Sequence, residues 1–183
     1  MALEEIVKVA KAEVDKKVRE VGGANKGADV EKYQKSVALS PGSPWCAAFV
    51  GWCVMTGLGR TKVPAWCSGS AVTGWQRAVS KLKGSDSIAL PHERQKVKAG
   101  WVWVRCSTVE EVAAVRSGKW TKGHTGLVEL PEAAHFNTLE GNTNGAGSRE
   151  GDGTYAKKQL WTDPRTLGWF DPVALTAAYE AKV

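Results

Sequence analysis

The sequence contains no run of about 18 apolar residues, the length a helix needs to cross a bilayer, so no transmembrane helix is expected. Its first segment, Met1 to Val9, carries Glu4 and Glu5 and lacks both an apolar core and a cleavage site, so it does not read as a secretory signal. Action outside a cytoplasm would then require some other route of delivery. Histidine is scarce, with three among 183 residues, and the four cysteines form neither a CxxC nor a paired metal-ligand spacing. A structural zinc site is therefore not expected, and reduced thiols are the default for a chain without a secretory signal. No internal repeat, low-complexity tract or linker stands out. Acidic residues are in deficit, 19 against 25 Lys and Arg, which gives a formal net charge of +6. The basic residues (Lys8, Lys11, Lys16, Lys17, Arg19, Lys81, Lys83, Arg94, Lys96, Lys98) are scattered rather than gathered into an arm. Anionic polymers and membrane surfaces attract such a charge as well as nucleic acid does. Without a nucleic-acid motif, specific nucleic-acid recognition is not expected.

What is present is a hydrophobic fraction of 43%, enough for one core and one domain over residues 1–183. Leu3, Ile6, Val7, Ala10, Val14 and Val18 recur at helical spacing and predict an amphipathic helix that Gly22-Gly23 stops. A second helix is predicted from about Asp29, with Val30, Tyr33 and Val37 on one face. Ser43 can cap a third, Pro44 suits its first position, and Cys46 then falls in the first turn. That helix is apolar almost all round (Trp45, Ala48, Phe49, Val50, Trp52, Cys53, Val54), which predicts burial, and Gly57 and Gly59 end it. A further helix is predicted over Ser70 to Leu82. Trp101-Val102-Trp103-Val104 reads as a buried strand, and Thr108 with Glu111 has capping-box spacing for a small helix over about 108–117. Strands are predicted at Thr125–Leu130, Phe136–Leu139, Tyr155–Trp161 and Leu167–Phe170, with a Gly/Asn-rich loop from Gly141 to Gly153. Helices first and a mostly antiparallel sheet second make an α+β domain.

Thiol chemistry needs the thiolate, which a helix N-terminus or a neighbouring imidazole favours. Cys46 alone among the cysteines lies in the first turn of a predicted helix, where free N–H groups also offer a place for an oxyanion. The bland alternative is that Cys46 is one more small core side chain. Of the histidines, His92 lies in a charged loop and His135 in a turn between strands, whereas His124 opens a strand, Gly123-His124-Thr125-Gly126-Leu127-Val128. A catalytic imidazole also needs a polar group to hold one tautomer. Glu140 and Asn142 are two residues apart, so on an extended chain both face the same way. A surface turn beginning at these two residues is the competing reading.

Asn25-Lys26-Gly27, Val30-Glu31-Lys32-Tyr33 and Pro44-Trp45-Cys46-Ala47-Ala48-Phe49-Val50-Gly51-Trp52-Cys53 together resemble the first half of a CHAP domain. CHAP domains are cysteine, histidine-dependent amidohydrolases/peptidases of the papain-like NlpC/P60 group. Gly123-His124-Thr125-Gly126 resembles the His strand of that family, and Leu139-Glu140-Gly141-Asn142 its next strand. The matched motifs run in the family's order from about residue 25 to 142. The resemblance implies a papain-like fold with N-terminal helices on a central antiparallel sheet. It further implies Cys46 as nucleophile, His124 as base, Glu140 as orienter of the imidazole, Asn142 as a further polar partner, and peptidoglycan as substrate. The bond cut would be N-acetylmuramoyl–L-alanine or a peptide bond within the wall. Loss of Glu140 is expected to alter the acid limb of the pH–rate profile.

Three features depart from the family. Gly100-Trp101 stands where it often has Gly-Asp, the segment from Arg105 to Lys122 is long, and the stretch before the cysteine offers only Asp29 and Glu31 where some members bind calcium. No metal and no cofactor are therefore expected. Among nine tryptophans, Trp45 beside the nucleophile and Trp120 before the His strand are the candidates to meet glycan or stem peptide. A short, basic, signal-less lysin of this kind resembles a phage endolysin, released to the wall by a holin and acting as a monomer; a tail-borne lysin or a bacterial effector fits the same sequence. Outside this class stand a non-catalytic cell-wall or protein-binding module on the same fold and a cysteine peptidase acting on proteins.

Overall fold

The computed structural model describes residues 1–144 and 151–181. Helices α1 (Ala2–Asp15), α2 (Ala28–Ser36), α3 (Cys46–Gly57) and α4 (Ala71–Leu82) come first. The strands follow: β1 (Ile88–Ala89), β2 (Val102–Cys106), β3 (Gly123–Pro131), β4 (His135–Thr143), β5 (Gly153–Leu160) and β6 (Thr166–Phe170). Helix α5 (Glu110–Arg116) lies between β2 and β3, and α6 (Pro172–Glu180) follows β6. The strands form one antiparallel sheet in the order β1-β6-β2-β3-β4-β5. This is the α+β architecture that the sequence predicts.

The four-residue apolar run Trp101–Val104 is explained by a sheet buried on both faces. Val102 and Val104 join Leu127, Leu139 and Leu167 in the large core beneath α1, α3 and α4. Trp101 and Trp103 point the other way, into an aromatic layer with Phe136, Trp161 and Trp169. Helix α3 is buried along most of its length because it lies between that sheet and α1 and α2. At Gly57 a Cβ would stand 2.7 Å from the Ile6 backbone, so only glycine lets α1 and α3 cross this closely.

Several local expectations are corrected. Helix α1 stops at Asp15, not near Gly22, because Lys17 takes a left-handed conformation (φ 55). Val18 is still buried, but as extended chain beside an Arg19–Gly153 bridge to the sheet. Neither Ser43 nor Pro44 starts α3; Trp45 is its N-cap residue and Cys46 its first residue. His135 opens β4 opposite Leu160 rather than sitting in a turn. Glu140 and Asn142 belong to that strand, so they do not begin a surface turn. The Thr108/Glu111 box forms by half: Glu111 accepts from the Thr108 N–H at 2.9 Å, but Thr108 caps nothing. The loop predicted from Gly141 to Gly153 shrinks at both ends into β4 and β5, and its residues 145–150 lie outside the described residues.

Candidate active site

The start of α3 is fixed by buried polar contacts rather than by a capping side chain. Gln34 in α2 is fully buried and its amide donates to the carbonyls of Asn25 (2.9 Å) and Ser43 (2.7 Å), tying down the loop that leads into Cys46. The Trp45 ring stacks on Tyr33 (centroids 5.6 Å, planes 22° apart), and its N–H donates to Glu20 at 2.9 Å. Cys46 therefore enters the helix from an anchored position. Its own N–H and the next two lie in the first turn, where a helix leaves such groups without intrahelical acceptors.

His124 and Glu140 are brought together by the β3–β4 pairing. Their side chains are 2% and 1% exposed, and Nε2 of His124 lies 2.8 Å from Oε2 of Glu140. The glycines of the Gly-His-x-Gly segment are explained by space. A Cβ on Gly126 would stand 2.7 Å from Cγ of Glu140, and one on Gly123 would stand 2.7 Å from the carbonyl oxygen of Arg105. The other carboxylate oxygen, Oε1, accepts from the Thr138 hydroxyl (2.5 Å) and from the Gln159 amide (2.6 Å). Burial pushes the Glu140 carboxyl up, but the hydrogen bond and charge of His124, with Thr138 and Gln159, outweigh it and hold the group below its ordinary value. Thr138 and Gln159 are partners of Glu140 beyond those the motifs suggest. Thr138 was readable, being two residues before Glu140 on one strand; Gln159 required the β4–β5 register.

With a carboxylate at Nε2, that nitrogen carries the proton and Nδ1 becomes the acid–base atom. Nδ1 forms no hydrogen bond among the described residues. Cys46 is the neighbour that acts on this ring besides Glu140. Burial would pull the imidazole pKa down, but the Cys46 side chain and Glu140 together push it up to about 9. Burial raises the other three thiols instead: Cys53 well above its ordinary range, Cys67 to about 12, and Cys106 in the same direction. Cys46 is buried at 5% exposure, and its side chain acts on the His124 ring.

The remaining candidates are not all brought to this site. Asn142 is buried, but its residue is left-handed (φ 53), where the β4–β5 register slips between Glu140 and Thr143. The slip breaks the alternation that would put Asn142 beside Glu140, and its amide makes no hydrogen bond among the described residues. Trp45 is fully buried between Tyr33, Phe49 and Glu20, so its ring cannot meet an external substrate, and it is withdrawn from the binding set. Trp120 is 61% exposed, with its N–H donating to the Ser70 hydroxyl at 3.0 Å, so a ring face is held toward solvent. Asp29 is engaged by Lys16 at 2.5 Å, and no group of three His, Cys, Asp or Glu stands together among the described residues.

No family model, curated protein or solved structure matches this chain. The resemblance to CHAP domains thus rests on the sequence motifs alone. Cavity size does not locate the chemistry either. A hollow of about 480 Å³ between α4 and α5, lined by Trp75, Gln76, Val79, Leu90, Val115 and Arg116, contains none of Cys46, His124 and Glu140. No helix is long and apolar enough to cross a membrane among the described residues.

Proposed function

We propose that the protein is a peptidoglycan hydrolase of papain-like CHAP type that cleaves an amide bond with Cys46, His124 and Glu140. One observation carries the chemistry: a buried imidazole pinned by a carboxylate at 2.8 Å, on a ring whose pKa the Cys46 side chain also raises. The wall as substrate is supported by the ordered CHAP-like motifs and by the net charge of +6, which suits an anionic polymer.

In this mechanism Cys46 has already given its proton to His124. The thiolate attacks the amide carbonyl carbon, and the N–H groups of the first turn of α3 receive the oxyanion. His124 then protonates the leaving nitrogen as the C–N bond breaks, leaving a thioester on Cys46. The neutral imidazole takes a proton from water, the hydroxide attacks the thioester, and the thiolate departs from the new carboxylic acid. Glu140 stays ionised throughout and keeps the ring in one orientation. Trp120 offers an apolar face to sugar or stem peptide. Delivery to the wall follows the endolysin route, through a partner that opens the membrane.

Digestion of purified sacculi followed by mass spectrometry of the products tests this reading. The expected products gain one water per cut at an amide, either at muramic acid or within the peptides, with glycan linkages intact. Release of fragments cut only between sugars, or no release at all, would overturn it.

A further inference from the structure

Helix α4 turns one face away from the core. Gln76, Val79, Ser80 and Lys83 recur at three- and four-residue steps, so they form one stripe along it. Two hollows adjoin on this stripe: the one of about 480 Å³ between α4 and α5, and one of about 230 Å³ at the end of α4. Val79 and Leu90 line both, which makes them one groove. Its wall is the segment between α5 and β3, and three hydrogen bonds fasten that wall to α4. The Gln76 amide donates to the carbonyls of Gly118 (3.2 Å) and Lys119 (3.1 Å), and the Trp120 indole donates to the Ser70 hydroxyl (3.0 Å). The middle of the groove is apolar, with Leu90 left 38% exposed. The ends are cationic: Arg116 lines the end beside Gln76, and Lys83 lines the other. Neither is held in an ion pair among the described residues, whereas Lys96 beside Lys83 is paired with Glu93 at 2.8 Å. Gln76 and Lys83 are about 10 Å apart along the helix axis. Both amide hydrogens of Gln76 are spent on carbonyls, so what it offers a ligand is an acceptor, and Ser80 adds a hydroxyl.

We propose that this groove binds a peptide-free glycan strand of alternating N-acetylglucosamine and N-acetylmuramic acid, with Arg116 and Lys83 on the carboxylates. The choice of a wall glycan rests on the reading of the protein as a peptidoglycan hydrolase. Hydrolysis of the muramoyl amide leaves a lactyl carboxylate on every second sugar. The stripped strand therefore carries one negative charge per disaccharide, with a neutral sugar between. The groove presents the matching order: a cation, an apolar floor, and a second cation at a spacing on the order of one disaccharide. Apolar ring faces and acetyl methyl groups lie on Val79 and Leu90, while Gln76 and Ser80 meet hydroxyl and N-acetyl N–H groups. A plain polyanion would find cations only at the ends, and a neutral glycan would make no use of them. The groove contains none of Cys46, His124 and Glu140, so it retains the protein on strands already stripped without occupying the site of cleavage.

The test is calorimetric titration of the full chain with the peptide-free tetrasaccharide of alternating N-acetylglucosamine and N-acetylmuramic acid. Chitotetraose, of the same length without carboxylates, and a triglutamate peptide, with carboxylates but no sugar, are titrated beside it. The tetrasaccharide should bind, and Arg116→Gln and Lys83→Gln should each weaken it about three- to fivefold, the effect of one exposed ion pair. Chitotetraose, lacking both contacts, should bind roughly tenfold more weakly than the tetrasaccharide. Ser80→Trp, at an exposed position, should fill the groove and abolish binding while circular dichroism shows the fold intact. No binding of the tetrasaccharide, equal binding of chitotetraose or triglutamate, or indifference to all three substitutions would overturn the proposal. The three altered residues are exposed, so each variant should fold; if one does not, the other two decide. A wild type that cuts sacculi but does not bind the tetrasaccharide loses the groove alone. One that binds it as described but releases nothing from sacculi loses the hydrolase reading and keeps the groove.

Discussion

Replacing Glu140 by Gln keeps the side chain's shape and removes one negative charge from beside His124. With Nε2 and Oε2 2.8 Å apart, the centres of charge are about 4 Å apart. At an effective dielectric of about 20 the attraction is about 4 kcal/mol, equivalent to about three units of imidazole pKa. A second cost adds to this. Both carboxylate oxygens accept hydrogen bonds, one from His124 and the other from Thr138 and Gln159. An amide has one oxygen and one NH2, so either orientation turns a donor toward a donor, at a further cost of about 1–3 kcal/mol. The sign follows from the raised imidazole pKa of about 9. The imidazolium persists through neutral pH and is lost as pH rises through that value, so the carboxylate governs the alkaline limb of activity, not the acid limb that the sequence suggests. In Glu140→Gln, burial of the ring is opposed by Cys46 alone. The alkaline limb should move toward acid by at least about one unit, and kcat should fall roughly ten- to a hundredfold. The assay is clearing of purified peptidoglycan across pH, with folding followed by circular dichroism. Asn142→Ala is run beside it and should leave the limb in place, since the Asn142 amide makes no hydrogen bond among the described residues. A folded Glu140→Gln with wild-type kcat and an unmoved limb would refute the reasoning, and a crippled Asn142→Ala would transfer the orienting role to Asn142.

Gly126→Ala places a Cβ 2.7 Å from Cγ of Glu140, so the carboxylate must shift; on the order of a hundredfold loss of kcat is expected, measured on folded protein, and an undiminished rate would show the clamp to be slack. Cys53→Ala should lower unfolding free energy by about 1 kcal/mol or more in denaturant titration while leaving turnover intact, because Cys53 is a fully buried core thiol; lost turnover without lost stability would point to the wrong nucleophile. Trp120→Ala should change stability by less than about 0.5 kcal/mol, since the ring is 61% exposed, yet raise KM for peptidoglycan, and an unchanged KM would remove Trp120 from the binding surface.

Helices α1 to α5, the double-faced strand and the segments that carry Cys46, His124 and Glu140 are legible because each has a local signal. The nearly unbroken apolar surface of α3 announces burial, and the Trp101–Val104 run announces a sheet covered on both sides. Other features depend on neighbours distant in sequence. That Trp45 is a core residue follows from Tyr33 and Glu20, neither adjacent to it. The departure of Asn142 from strand alternation follows from a register slip against β5 that period-two counting cannot show. Gln159 reaches Glu140 only after β5 has paired with β4, across a loop whose length gives no register. Helix α6 has a local signal of its own: Asp171 caps it, accepting from the N–H groups of Val173 and Ala174 at 2.8 and 3.1 Å, with Pro172 in the first turn.

The most direct measurement of the central claim is clearing of purified peptidoglycan by Cys46→Ser and Cys46→Ala beside wild type, with each variant shown to be folded. A side chain 5% exposed at the start of α3 tolerates either small substitution, so the fold should persist. Both variants should lose clearing altogether, because the hydroxyl lacks a thiol's acidity and the methyl group has no nucleophile. Clearing at near wild-type rate by either folded variant would contradict the account.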